Sequence, residues 1–294
     1  MTGPVAAAPA RPGDAGRRAA PDPERIAELA VRVAGAAGGE LLSRWGTATG
    51  VRTKTSETDL VSDADLASES VIRSLVAATR PGDTVVGEEL PAAFGSSGCT
   101  WIVDPLDGTV NYLHGRPQWS VSLAVTIAGS ATVGVVHMPA LGLTYEAVRG
   151  GGAWCNGRRL AGSPATVLAE AVVGTGFCYS RDARVRQAAA LARLMPSVGD
   201  VRISGSASVD LCAAADGSLD AYCETGLATY DYAAGALIAA EAGLDVVLPH
   251  EEPGGWLIAS PSSLSAELRR ALASVDRASV DRASVDRASV DRAD

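Results

Sequence analysis

Residues 101–115 read WIVDPLDGTVNYLHG, an apolar run that ends in two aspartates, Asp104 and Asp107, three positions apart. Like charges that share a low-dielectric site raise each other's pKa, so such a pair calls for a positive partner. Pro105 fixes its own backbone and biases Asp104 toward an extended shape, while Gly108 permits an unusual dihedral just past Asp107. A strand ending in that turn can aim Asp104, Asp107 and the intervening Leu106 carbonyl at one spot. Carboxylates plus a carbonyl are hard oxygen ligands suited to Mg²⁺. Gly108 and Thr109 then precede a short helical turn, where free amides can receive phosphate oxygens without a basic side chain. A structural strand-end turn is the alternative reading of the same residues.

Two more acidic clusters fall where strands meet loops or helices: Glu88 and Glu89 after TVVG, and Asp231 before AAGALIAAEAG. Singly they read as surface glutamates and a helix N-cap. Together with Asp104 and Asp107 they make a constellation of carboxylates.

The whole chain sets limits on the partner. Its 294 residues are 47% apolar, enough for a sizeable core, and its formal net charge is −9. That charge argues against a nucleic-acid partner held by phosphate contacts. Five cysteines form no CxxC pair and three histidines (114, 137, 250) have no ligand-like spacing, so reduced thiols and no zinc site are expected. Residues 1–22 read as a disordered tail and not a signal peptide, and no apolar run is long enough to span a membrane. A soluble, cytoplasmic protein is the expectation.

Along the chain, Asp22 can cap and Pro23 can open a first helix whose apolar residues include Ile26, Leu29, Val33 and Leu41, loosened by Gly35, Gly38 and Gly39. A polar connection, VRTKTSETDLVSDAD, leads to a second helix starting near Ser62 to Asp65 and ended by Pro81 and Gly82. DTVVGEE, TWIVDP, SVSLAVTIAG, ATVGVVHMP and LTYEAVRGGGAWCNGRRL read as strands of a sheet with hairpins. From about Ala165, short apolar runs alternate with helical patterns at 182–195, 206–215 and 231–242, which suggests an α/β half. The expected division is thus 23–164 as an α+β half with most ligands and 165–272 as an α/β half with Asp231. Residues 273–294 repeat the pentad ASVDR, a period that fits neither helix nor strand and reads as a tail.

GEE, WIVDPLDGTVNYLHG, GGGAWCNG and YDYAAGALIAAEAG, in that order, resemble the inositol monophosphatase family, whose hallmark is DPxDGTxN followed far downstream by (W)DxAAG. The resemblance implies a layered αβαβα sandwich, often homodimeric, with two to three Mg²⁺ ions at the junction of its halves. It implies that Glu88, Asp104 and the Leu106 carbonyl hold one ion, and that Asp104, Asp107 and Asp231 hold a second. Gly108 and Thr109 would contact phosphate, and Asp65 would pair with Thr109 beside an attacking water, with Glu88 as a further proton acceptor. Lys54 matches the family's basic position. Gly205, Ser206, Ala207 and Glu224 would meet substrate hydroxyls, although Ser206 also reads as a helix cap and Glu224 as a surface charge. Tyr230 departs from the family's tryptophan before the last metal aspartate.

The function expected is therefore hydrolysis of inositol 1-phosphate or a related polyol or sugar phosphate. Histidinol phosphate, fructose 1,6-bisphosphate and a 3′-phosphonucleotide are the alternatives within the superfamily. A regulatory binding protein is the alternative outside catalysis.

Overall fold

The computed structural model describes residues 21–47, 49–53, 60–251 and 254–272. Both proposed tails and Lys54 lie outside them, apart from Pro21 and Asp22.

Asp22 accepts a hydrogen bond from the Glu24 N–H and Pro23 opens α1 (Pro23–Arg44). The connection after it contains a short antiparallel pair, β1 (Arg52–Thr53) and β2 (Leu60–Val61), where the sequence suggested only a polar loop. Ser62 caps α2 (Asp63–Thr79). There follow β3 (Thr84–Gly87), β4 (Cys99–Asp107), the single-turn α3 (Thr109–Leu113), β5 (Ser120–Ile127), β6 (Ser130–Met138), β7 (Leu143–Val148), β8 (Gly152–Cys155) and β9 (Arg158–Arg159). These seven strands make one sheet in sequence order, antiparallel except for the parallel pair β3 and β4.

The rest alternates: β10 (Val172–Gly174), α4 (Arg181–Leu194), β11 (Asp200–Arg202), α5 (Ala207–Asp216), β12 (Ala221–Thr225), α6 (Thr229–Glu241), β13 (Asp245–Val247) and β14 (Trp256–Ser260), with residues 262–272 helical. The second sheet has the order β11-β10-β12-β14-β13. Helices α1 and α2 cover one face of the large sheet, and α5 and α6 lie between the two sheets. Ala190, Leu194, Leu264 and Leu268 pack on the outer face of the small sheet against Val173, Cys223 and Ile258. The result is the layered αβαβα arrangement.

Helix α1 runs unbroken through all three of its glycines. Gly38 lets α1 approach β6: a Cβ there would stand 2.6 Å from both His137 Cδ2 and Pro139 Cγ, whereas Gly35 has nothing within 4 Å. Gly38→Ala should therefore destabilise by about 1–3 kcal/mol through overpacking, and Gly35→Ala should stabilise by up to about 1 kcal/mol. Paired thermal melts will check the opposite signs.

Candidate active site

The site begins with an irregularity in β4. Asp104 pairs with Ser122 of β5 and Asp107 with Ser120, so two residues on one strand, Pro105 and Leu106, oppose one on the other, Val121. A regular strand would send residues three apart to opposite faces. The extra residue, at the Pro105–Leu106 step where proline offers no N–H to the ladder, restores parity and brings both aspartates to the face toward α5 and α6. The sequence indicated that the turn is shaped, but the bulge is what does the aiming.

Gly108, at φ +92°, caps α3, and a Cβ there would sit 2.9 Å from the Gln118 carbonyl. Thr109 follows, buried, its hydroxyl within 3.0 Å of Asp65 Oδ1 and 3.1 Å of the Leu106 carbonyl. Asp65 is itself buried at the start of α2, where its Oδ2 accepts from the Ser62 N–H at 2.9 Å and the Ser62 hydroxyl at 2.7 Å. One carboxylate thus caps a helix with one oxygen and reaches Thr109 with the other.

Glu88 continues the parallel pairing past β3, its N–H bonded to the Val103 carbonyl at 3.2 Å, which sets it beside Asp104. The turn after it is held by Glu69, fully buried, which accepts from the Glu89 N–H at 2.8 Å and pairs with Arg73 at 2.7 Å. Sequence reasoning missed Glu69. Its signal was an acid four residues before an arginine on an otherwise buried helix face.

Asp107 is gripped by the start of α5: its Oδ2 accepts from the Ser206 hydroxyl (2.7 Å), the Ser208 N–H (2.8 Å) and the Ser208 hydroxyl (2.5 Å). Ser206 is at the same time the N-cap of α5. Ser206 thus caps α5 and also holds Asp107. Ser208 was missed because a serine in the first turn of a helix looks like any other. Gly205 (φ +89°) passes close to Asn111, which donates to the Gln118 and Ser204 carbonyls. Asp231 accepts from the Ala228 N–H at 2.6 Å in the first turn of α6.

Glu224 is no surface charge. It is 7% exposed and accepts from the Tyr222 hydroxyl. Burial, with Asp107 and Asp210 nearby, pushes its carboxyl up to about 7. Asp210, which the sequence reading passed over, is also buried and raised to about 7, chiefly by burial.

Glu88, Asp107, Gly205, Ser206, Ala207, Glu224 and Asp231 line one cleft of about 1020 Å³, together with Tyr230 and Asp210. Charge in and around that cleft is one-sided. Asp104 is held well above the usual carboxylate range by burial and then by Glu88, Asp107 and Asp231. Asp231 is pushed up to about 8 by burial, Asp107, Glu88 and Glu224. Four carboxylates carried on three elements therefore feel one another directly. Such a set fits a hard divalent cation, which would offset the repulsion. Among the described residues, no three of these side chains form a finished ligand cluster by themselves. An ion here would complete its shell with waters and substrate oxygens, as Mg²⁺ commonly does.

The profile of the inositol monophosphatase family matches residues 22–281. The chain belongs to the inositol monophosphatase family. It is 42% identical over 244 residues to the inositol-1-monophosphatase SuhB of Mycobacterium tuberculosis, covering 79% of this chain and 84% of that one. It is 38% identical over 218 residues to the Nus factor SuhB of Pasteurella multocida, covering 73% and 82%. The solved structure of suhB from Bartonella henselae superposes with a TM-score of 0.79 at 32% identity, over 84% of this chain and 98% of that one. Family membership makes the chain a phosphatase of the phosphoric monoester hydrolase class. The inositol monophosphatase family is metal-dependent, in keeping with the donor set. Among the described residues, no helix is long and apolar enough to cross a membrane.

Proposed function

We propose that the chain is a Mg²⁺-dependent phosphomonoesterase of inositol 1-phosphate or a related polyol or sugar phosphate, acting in the cytoplasm as a homodimer. The observation that carries this reading is the convergence of Glu88, Asp107 and Asp231 on one cleft, where they and burial raise the adjoining Asp104, with the Thr109 hydroxyl donating to Asp65 next to Gly108.

Glu88, Asp104, the Leu106 carbonyl, Asp107 and Asp231 would hold two to three Mg²⁺ ions. When bound, the ions would make a nucleophile available at neutral pH and neutralise charge on the phosphate and the departing oxygen. The chain's own residues do the rest. First-turn amides at Gly108 and Thr109 orient phosphate oxygens. Thr109, its proton directed to Asp65 Oδ1, keeps oxygen lone pairs to accept a proton from the attacking water. Asp65, fixed by both donors of Ser62, receives the Thr109 proton. Glu224 and the Gly205–Ala207 backbone accept and donate to substrate hydroxyls, and Tyr230 walls the cleft.

A second reading, a regulatory role in transcription, is favoured by one finding, the likeness to a protein named Nus factor SuhB. The complete carboxylate set supports the enzyme reading over a purely regulatory one.

The test is phosphate release with Mg²⁺ over inositol 1-phosphate, histidinol phosphate, fructose 1,6-bisphosphate and a 3′-phosphonucleotide. Release from at least one, abolished by chelation, is expected. No release from any would overturn the proposal.

A pH dependence accompanies it. In metal-stripped protein, Asp231 (about 8) and Glu224 (about 7) hold protons that the unfolded chain releases near the ordinary carboxylate pKa of about 4. The folded state therefore binds more protons across that window, and stability falls as pH rises through it. Ligand carboxylates must be ionised to bind a cation, so Mg²⁺ should raise Tm more at about pH 8 than at about pH 6. Equal shifts at the two pH values would refute the linkage.

A further inference from the structure

The cleft is larger than its acidic floor requires, and its outer part has a different chemistry. Among the described residues, Arg184 is the one Lys or Arg that lines it, in company with Phe177, Tyr179 and His114. Arg184 sits in the first turn of α4, and its Nε donates to the Cys178 carbonyl at 2.8 Å. One turn later, buried Gln187 accepts from the Cys178 N–H at 3.0 Å and donates to the Thr225 carbonyl at 2.9 Å. The start of α4 is thereby clamped to the end of β12, the strand that carries Glu224. Gly176 brings the intervening loop against Glu224 itself, since a Cβ there would fall 2.2 Å from Glu224 Oε2.

The guanidinium is thus held in place by its Nε edge. Its two terminal nitrogens, which form the fork suited to a phosphate or carboxylate, have no hydrogen-bond or ion-pair partner among the described residues. Arg184 also stands apart from the acidic floor. The rises of Glu224 and Asp210 come from burial and from neighbouring acids, with no lowering by Arg184. A cation that neither neutralises the floor nor pairs elsewhere is placed to meet charge brought by a ligand.

We propose that Arg184 forms a second anion subsite at the outer end of the cleft, taking a phosphate or carboxylate that the substrate carries away from the ester being cleaved. The subsite rests on the phosphatase reading for the identity of that ester. Fixing the guanidinium in advance removes much of the entropic cost of forking an anion. A substrate with one anionic group would leave the fork to solvent, and a substrate with two would use both ends of the cleft.

Three ligands on one scaffold separate the possibilities: glucose 1-phosphate, glucose 1,6-bisphosphate and glucuronic acid 1-phosphate. Their binding is measured by titration calorimetry with Ca²⁺ in place of Mg²⁺, and their hydrolysis by phosphate release with Mg²⁺. The wild-type protein is expected to bind at least one of the two doubly anionic ligands about 10-fold or more tightly than glucose 1-phosphate, the scale of a charge-assisted hydrogen bond. Which one it prefers identifies the second group as phosphate or carboxylate. Arg184→Gln should erase that preference and leave glucose 1-phosphate binding and Tm unchanged, and Arg184→Lys should keep only part of it. Should Arg184→Gln fold poorly, Arg184→Lys decides the same question. Equal wild-type affinity for all three ligands, or an equal loss for all three in the variants, would overturn the subsite. A binding preference without phosphate release from these ligands or from any substrate of the four-substrate panel above would overturn the phosphatase reading and leave the subsite standing.

Discussion

Asp107→Asn should lower metal-dependent phosphate release by about 10³-fold or more, the scale set by removing one electrostatic group aimed at the reacting centre. The structure explains why the fold should survive. Three donors on α5, the Ser206 hydroxyl and the Ser208 N–H and hydroxyl, all converge on Asp107 Oδ2. An asparagine can present its single oxygen to those donors, which leaves its amide nitrogen facing the cleft, where a cation needs an acceptor. Burial raises the Asp107 carboxyl, and the Ser208 and Ser206 donors only partly offset this. Removing the charge relieves that cost and relieves Asp104 and Asp231, both of which Asp107 pushes up. The metal-stripped variant should therefore melt no lower than the wild type, while its Mg²⁺-induced rise in Tm shrinks. Release assays, melts with and without Mg²⁺, and calorimetric metal titration read these effects separately. Turnover near the wild-type level would remove Asp107 from the site.

How much of this was legible beforehand depends on the range over which the controlling interaction acts. Asp22 and Pro23 opening α1, and Ser62 with Asp65 opening α2, are local devices, and the chain placed them where short-range rules expect. The strands from Thr84 to Arg159 were readable for the same reason. Helices expected at 182–195, 206–215 and 231–242 lie within one or two residues of Arg181–Leu194, Ala207–Asp216 and Thr229–Glu241. What escaped depends on partners distant in sequence. Gly38 reads as a weak point in a helix until β6 is packed against it. Glu224 and Asp210 look like ordinary solvated acids until the folded chain buries them. Ser208 matters only because Asp107, about a hundred residues earlier, ends in its hydrogen-bonding reach. Asp104 and Asp107 are the sharpest instance. Spacing alone puts Asp104 and Asp107 on opposite faces of a strand, and only the pairing of β4 with β5 shows the extra residue that reunites them.

Thr109→Ala should reduce kcat by about 10²–10⁴-fold, the usual worth of a positioned proton-transfer group, with KM little changed. The hydroxyl lies 3.0 Å from Asp65 Oδ1 and 3.1 Å from the Leu106 carbonyl, buried between the carboxylate on α2 and the bulge of β4. The hydroxyl's hydrogen bonds go to Asp65 and Leu106 and not to Glu224 or the Gly205–Ala207 segment, so its loss should spare ground-state binding and strike the transition state. Asp65→Asn is a less clean probe, because Asp65 Oδ2 also accepts both donors of Ser62 in the capping box of α2. That substitution mixes a rate effect with a capping loss of about 0.5–2 kcal/mol. Thr109→Ser separates the two roles of the side chain. It keeps the hydroxyl and drops only the methyl, so it should recover most of the rate that Thr109→Ala loses. If the alanine variant keeps more than about a tenth of the wild-type kcat, the hydroxyl carries no proton and Asp65 is a helix cap alone. If serine fails to restore what alanine removes, the methyl packing is what counts, because a relay needs the oxygen and is indifferent to the carbon beside it.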